Sequence, residues 1–596
     1  MYKPPFTTAV AEQVWRSKYR WSDNGHLQEP SVEASWDRVA LGVSGVEPNH
    51  RNDWRERFRA ILGDFRFLPG GRILAGAGTA RQVTLFNCFV LGPLEDSING
   101  IFNALREAMV TLQAGGGVGV DFSTLRPVNT AALRTGSRAS GPVSFLQLWE
   151  AANSLLETGN LRRGAMMATL RCDHPDIEAF VQCKANPGSL AHFNLSVLVS
   201  DDFMHAVEED KTWPLVFPLG DHPLPADAEV CERVWSGSAM PQPCRVYRRV
   251  PARQLWDHML AAMHSGAEPG VLFVDRINRV NNLWYAEQLS STNPCGEVPL
   301  PPSGACNLGS INLTRFVQHP FGPHPAVDFP GLRAVAAVAT RFLDDVYELS
   351  LFPLKSQEKV ARASRRIGLG ITGLADMFLM LGLRYGSPAS LELARQIMVA
   401  LRDTAYRTSV ALAQEKGSFS GFDKIRYGAS PFVLDLPHDI QDGIALHGIR
   451  NSHLLAVAPA GSISLLANNV SSGIEPVLAF QGRRRLRQAD GQFIQTDVDD
   501  DAWRQYRAQH GAQAALPSWF IQASDVSMEE QLRMMEAVQS CVDNAVSKTL
   551  HVGREASPRD IGQAVQRAWA LGLKGCTVYR EGSRGGEAVL SARSPG

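Results

Sequence analysis

From about residue 76 the chain alternates short apolar runs with helical stretches, and this βα rhythm limits it more than any single motif does. Runs such as "TLFNCFVL" (84–91) and "GVGVDF" (117–122) have the length of strands, and helical spacing covers 97–113, 143–157 and 175–184. "HFNLSVLVS" (192–200), "GVLFVD" (270–275), "SINLT" (310–314) and "HLLAVAPAGSISLL" (453–466) continue the pattern. Sustained alternation predicts a parallel sheet or barrel with helices outside it. Residues 1–75 read differently. They are mainly helical, with Trp15, Trp36 and Trp54 for a small core, and end near the Pro-Gly-Gly turn at 69–71.

At 596 residues the chain exceeds what one ordinary core supports, so two compact units or one large barrel with an attached domain is expected. With 44% hydrophobic and 20% charged residues and a net charge of −1, it has no polyelectrolyte character, which argues against nucleic acid or membrane as main partner. The uncharged run 454–474 is broken by Pro459 and Gly461, so no membrane span is read. The prolines of "MYKPPF" stand where a secretory signal needs its apolar region. Nine dispersed cysteines without a CxxC fit a reduced, cytoplasmic chain and give no zinc or other metal motif. The segment 228–249 reads as an irregular surface excursion, and the small, polar stretch 581–596 as a flexible tail.

Five stretches could carry chemistry. The glycines of "LQAGGGVGVDF" (112–122) let main chain approach a ligand, although a tight turn into a buried strand explains them as well. "VAPAGSISLL" (457–466) offers N–H groups and a hydroxyl after a strand, or is a plain strand-to-helix connection. The arginines of "GNLRRGAMMATL" (159–170) and "GRRRLR" (482–487) suit anions, or form solvated faces. "STNPCGEVPLPPSGACNLGSINLT" (291–314) is the most informative. Asn293, Cys295 and Glu297 alternate, so an extended segment would turn an amide, a thiol and a carboxylate to one side.

These residues sit in an ordered set of motifs that resembles the catalytic chain of ribonucleotide reductases, specifically the adenosylcobalamin-dependent class. The set comprises "LFNCFV", "GGGVGVDFSTLRP", "SGPVSF", "RRGAMMATL", "HPDI", "HFNLSV", "NPCGE", "CNLGSINL", "RRIGLGITGLAD", "APAGSIS", "SSGIEP" and "GCTVYREGSR", and covers residues 10–583. The resemblance implies an α/β fold: a ten-stranded barrel of two five-stranded parallel halves with a central finger loop, over 76–580, preceded by the small helical domain. Its implied activity is conversion of ribonucleoside di- or triphosphates to 2′-deoxyribonucleotides. A thiyl radical at Cys295, generated by homolysis in adenosylcobalamin, takes the 3′-hydrogen. Glu297 is the implied general base and Asn293 orients the ribose. Cys88 and Cys306 end as a disulfide, which requires their Cα atoms to come within about 7 Å.

The same resemblance implies substrate contacts at Asn87, Cys88, Gly117, Asn293, Pro294, Cys295, Gly296, Glu297, Pro459, Ala460, Gly461, Ser462 and Ile463. It implies a deoxynucleotide effector near Asp96, Ser97 and Arg126, with "KANPGSLAH" (184–192) as a relay to the substrate, and allows a homodimer. Two departures from the family stand out. The core begins almost at Met1, so no overall activity site is expected, and no cysteine follows Cys576. Reduction of the disulfide then falls to thioredoxin or another reductant, to a separate dithiol-carrying chain, or to residues missing from this sequence. Only Tyr579 stands where the di-iron class carries a tyrosine pair, and no glycyl-radical motif is found, so cobalamin is favoured. The rivals are the large subunit of the di-iron class and a non-catalytic nucleotide-binding regulator on the same barrel.

Overall fold

Two sets of parallel strands meet edge to edge in the computed structural model, which describes residues 4–23, 26–132, 137–157, 164–186, 188–220, 227–238, 240–487, 493–583 and 589–591. The first set runs β1 (Cys88–Val90), β2 (Gly117–Asp121), β3 (Met166–Arg171), β4 (Phe193–Val199) and β5 (Gly270–Phe273), each parallel to the next. In the second set β6 (Ala305–Asn312) lies parallel to β7 (Ile367–Thr372), and β8 (Thr549–Val552) to β9 (Gly575–Arg580). The sets meet antiparallel at two seams, β1 against β6 and β5 against β9.

The segment 454–457 completes the circuit. Leu455 pairs in parallel with Leu369 and Val457 with Val546, through bonds such as Ser547 N–H to the Val457 carbonyl at 2.9 Å. Nine strands and this segment make a ten-position barrel of two parallel halves, the architecture expected above. Its walls are covered on both faces: all eight residues of β6 and all six of β7 are buried. The expected strands at 84–91, 117–122, 192–200 and 270–275 are present, the last ending at Phe273 where a helix begins. Within 453–466 only single bridges form, and Gly461–Leu466 is helical.

The amino-terminal helices include α1 (Val32–Ser44) and α2 (Arg51–Leu62). They pack on α4 (Phe329–Leu349), which follows α3 (Ile98–Gln113) in the barrel's outer layer. Phe58 and Phe67 meet the edge of Phe342. The chain between them and β1 supplies the strand Phe67–Pro69, antiparallel to β6. Glu47, fully buried, lies 2.5 Å from the Arg341 guanidinium and 3.0 Å from Lys416. Burial opposes its charge, but these cations hold its carboxyl down at about 2. Removing one partner of such a pair costs about 3–5 kcal/mol, so this contact pins the helical region to the barrel.

The segment 228–249 is not irregular. Thr212–Pro218, Pro241–Pro251 and Val230–Val234 form a three-stranded antiparallel sheet with the second in the middle. Its prolines suggest a loop, but Pro241 and Pro243 oppose Val234 and Glu232 in a continuous ladder. Arg162 and Arg163, proposed for anions, lie outside the described residues, as do the side chains of 484–487 and most of 581–596. Residues Val589–Ser591 pair with 482–484.

Candidate active site

A loop bonded to both halves enters between them. The two-residue strands Ser291–Thr292 and Pro299–Leu300 pair antiparallel, and between them the chain turns tightly. Gly296 N–H bonds the Asn293 carbonyl at 3.0 Å, and Asn293 N–H bonds the Val298 carbonyl at 3.2 Å. Gly296 has φ of +85°, where a side chain would be strained.

This turn corrects the expectation that Asn293, Cys295 and Glu297 alternate along an extended segment. A reverse turn breaks the two-residue period, so the three side chains part. Cys295 is exposed at the tip, while Asn293 and Glu297 are each 2% exposed. Asn293 Oδ1 accepts the Val298 N–H at 3.0 Å and closes the turn, leaving its NH₂ as the group it can offer a ligand.

Both halves brace the loop. From the first half, Asn194 Nδ2 on β4 donates to the Pro294 carbonyl at 2.6 Å, and Thr169 Oγ1 on β3 donates to the Ser290 carbonyl at 3.0 Å. From the second, Ala545 N–H donates to the Glu297 carbonyl at 2.9 Å, and buried Arg366 donates to the Pro299 carbonyl at 3.1 Å. The glycines of β2 provide the room. A Cβ on Gly119 would stand 1.8 Å from the Thr292 carbonyl oxygen, and one on Gly117 3.0 Å from the Pro294 ring. The run read as an approach for a ligand thus admits the protein's own loop.

Cys88 and Cys306 are Cα partners across the β1/β6 seam. Val90 N–H bonds the Gly304 carbonyl two residues along, so they occupy a hydrogen-bonded site, where Cα atoms stand about 5.5 Å apart. That falls within the range of about 4.4–6.8 Å for a disulfide. Both thiols are buried among Val90, Val298, Leu300, Leu308 and Ala456, so the loop's returning strand lies against the pair. Burial pushes the Cys306 thiol up; the Glu297 and Asp543 carboxylates add to this and Arg366 opposes it.

A cavity of about 1040 Å³ opens at the tip. Pro294, Cys295, Gly296 and Pro459 line it, together with Asn194, Glu268, His551, Cys576 and Tyr579. Asn87, Gly117 and 460–463 are not part of that lining. Gly117 N–H bonds the Asn87 carbonyl at 2.8 Å, and the buried Asn87 Oδ1 has no hydrogen-bond partner among the described residues. Ala460, with φ of +51°, precedes the short helix in which Gly461, Ser462 and Ile463 lie.

Asp96, Ser97 and Arg126 come together at the start of α3. Arg126 Nε lies 2.6 Å from Asp96 Oδ2, and Ser97 Oγ caps the helix at Gly100 N–H. Of the segment 184–192, Lys184 lies 2.5 Å from Glu268 in the cavity wall.

The family model for the ribonucleotide reductase barrel domain matches residues 86–579, and that for the all-alpha domain of the same protein matches 5–82. The chain belongs to the ribonucleotide reductase large-chain family. Similar family members include a "Vitamin B12-dependent ribonucleoside-diphosphate reductase" of Mycobacterium tuberculosis strain CDC 1551, 37% identical over 98% of this chain and 81% of that one. A Thermoplasma acidophilum protein of the same name is 32% identical, covering 96% of this chain and 70% of its own. A "Vitamin B12-dependent ribonucleotide reductase" of Streptomyces clavuligerus is 26% identical, with 87% of this chain and 58% of its own length covered.

Within this reductase barrel, sequence reasoning missed the residues that hold the loop. Asn194 left a trace, as the one amide in the mainly apolar "FNLSVLV" of β4, where it alone is exposed. Ala545 acts through its main chain and leaves none. Among the described residues no helix is long and apolar enough to cross a membrane.

Proposed function

We propose that the chain reduces ribonucleotides to 2′-deoxyribonucleotides by thiyl-radical chemistry that depends on adenosylcobalamin. Family membership and the names of the relatives support reaction and cofactor. The observation that carries the reading is the Cys88–Cys306 register beneath a loop braced from both sides, with a third cysteine at its tip.

The cavity is larger than the few hundred Å³ that suffice for many small ligands, so Cys295 can face a nucleotide and a second, larger group. Leu478, Gln481, His551 and Tyr579 of the lining would hold the cofactor. When bound, adenosylcobalamin supplies the homolysis that starts the radical. The chain's own residues do the rest. Cys295 Sγ takes the 3′-hydrogen, Glu297 takes the 3′-hydroxyl proton, and the Asn293 NH₂ orients the ribose. Cys88 and Cys306 then form one S–S bond as they deliver two electrons and two protons, and the 2′-oxygen leaves as water. High thiol pKa keeps Cys306 protonated, the form that can donate hydrogen.

Asn87, Gly117, Pro294, Gly296 and the 459–463 turn are our further substrate contacts, and Asp96, Ser97 and Arg126 our effector site. Turnover needs a reductant. We assign that role to thioredoxin or a separate dithiol-carrying chain, in a reducing cytoplasm, with a homodimer as the working assembly.

The test supplies full-length protein with ribonucleoside di- and triphosphates, dithiothreitol, and adenosylcobalamin present or absent. Deoxynucleotide is expected only with the cofactor, and Cys295→Ala should abolish it with an unchanged circular dichroism spectrum. Full activity without the cofactor, or in Cys295→Ala, would overturn the reading.

A further inference from the structure

Outside the barrel, two more cysteines face each other. Cys231 and Cys244 are Cα partners in the peripheral sheet formed by Thr212–Pro218, Val230–Val234 and Pro241–Pro251. Val246 N–H bonds the Glu229 carbonyl at 2.9 Å, two residues along the same ladder, so the cysteines occupy a hydrogen-bonded site. Their Cα atoms then stand about 5.5 Å apart with both side chains on one face, within disulfide reach.

The prolines lock this register. Pro241 and Pro243 oppose Val234 and Glu232, the alternate positions that use no N–H between these strands. A slip by one residue would set both prolines at hydrogen-bonded positions and turn the cysteines to opposite faces.

The two thiols differ in access. Cys244 is fully buried beside Val216 and Trp235, whereas Cys231 is only partly covered. Burial pushes the Cys244 thiol up to about 12, with Cys231 beside it adding to the effect. Cys231 is therefore the sulfur a dissolved reagent meets, and Cys244 the one placed to resolve the product.

We propose that Cys231 and Cys244 form a second dithiol–disulfide site, separate from the barrel pair, whose oxidant is a low-molecular-weight disulfide. The Cys231 thiolate attacks one sulfur of the small disulfide, forms a mixed disulfide and expels one small thiolate. Cys244 gives its proton to that thiolate and attacks Cys231 Sγ, expelling the second small thiolate, which takes from solvent the proton that Cys231 had lost. Two protein thiols are oxidised and one small disulfide is reduced.

The new bond would clamp the hairpin that reaches the barrel. Trp235 Nε1 donates to the Ser123 carbonyl at 3.0 Å, beyond the end of β2, and Arg171 at the end of β3 donates to the Val234 carbonyl at 3.1 Å. Oxidation therefore fixes a cover over the carboxyl ends of two barrel strands.

The test uses full-length reduced protein treated with oxidised glutathione, alkylated, and digested without reductant for mass spectrometry. A Cys231–Cys244-linked peptide is expected in the wild type and in the Cys88→Ser/Cys306→Ser double variant, with a raised melting temperature. Cys231→Ser should lose both the link and the temperature shift, and leave deoxynucleotide formation within about twofold of wild type. A stable glutathione adduct on Cys231 with Cys244 still alkylated would overturn the proposal, as would a link that vanishes in the double variant. The peptide readout needs no enzymatic activity, so it stands or falls apart from the proposed reaction.

Discussion

The barrel pair Cys88/Cys306 and the peripheral pair Cys231/Cys244 have the same backbone relation: each joins opposite residues at a hydrogen-bonded site of an antiparallel ladder. Their surroundings share almost nothing. Cys88 and Cys306 lie within an apolar cluster under the finger loop, with the Glu297 carboxylate near enough to act on the thiol. The peripheral pair rests under an outer hairpin with one sulfur partly open to solvent. Register makes two sulfurs able to bond; what surrounds them determines which molecule can oxidise them. A substrate intermediate held in the cavity is the partner of the first, and a dissolved disulfide that of the second.

The largest expected effect breaks the comparison outright. Cys306→Ser should abolish repeated deoxynucleotide formation, whereas Cys244→Ser should leave it within about twofold, as read by product chromatography. Equal losses would mean that the two pairs work in series.

Gly119→Ala tests whether the loop gives the barrel pair its distinct role. The added methyl meets the Thr292 carbonyl, so the loop must move. Loss of about 1–3 kcal/mol in denaturant unfolding is expected, together with a fall in activity on the order of 10²-fold from a misplaced Cys295. Oxidation of the peripheral pair should be unaffected.

Asn194→Ala removes one brace, the bond to the Pro294 carbonyl. A net loss of about 1 kcal/mol corresponds to about a fivefold fall in single-turnover rate. An unchanged rate would show that the remaining braces, Thr169 of the first half among them, position the loop without Asn194.

The smallest effect concerns pH and sharpens the contrast within the peripheral pair. The Cys244 thiol, raised to about 12 from an ordinary value of 9.0, stays protonated while the unfolded chain's thiol ionises. Its contribution to stability is therefore fully present below pH 9 and is lost as pH rises toward 12. Alkylation of Cys244 in Cys231→Ser protein should accordingly rise about tenfold per pH unit through that window. A plateau near pH 9 would contradict its burial.

Much of the architecture was legible because β strands buried on both faces read as mainly apolar runs, as in "GVLF" of β5. Closure was legible only in part: the apolar run at 453–457 reads as a strand, but segment 454–457 joins its neighbours by single bridges, and which strands it joins depends on tertiary pairing. In the site, residue types were visible while their orientation was not. The two-residue period assigned to Asn293, Cys295 and Glu297 fails once Gly296 closes a turn. The glycines of β2 were noticed for the right reason, close approach of main chain, yet the approaching group is the Thr292 carbonyl. The Cys231/Cys244 pairing depends on which prolines oppose which residues, and that appears only when the ladder is known.

The loop's double anchorage has a mechanical consequence. Asn194 holds it to one wall and Ala545 to the other, so the loop behaves as a tie rod whose midpoint is the Cys295 turn. Any shear of the two half-barrels against each other changes the load on both ends and shifts the sulfur between them. A ligand that draws the walls together or apart would thus adjust the reach of the reacting atom without touching it.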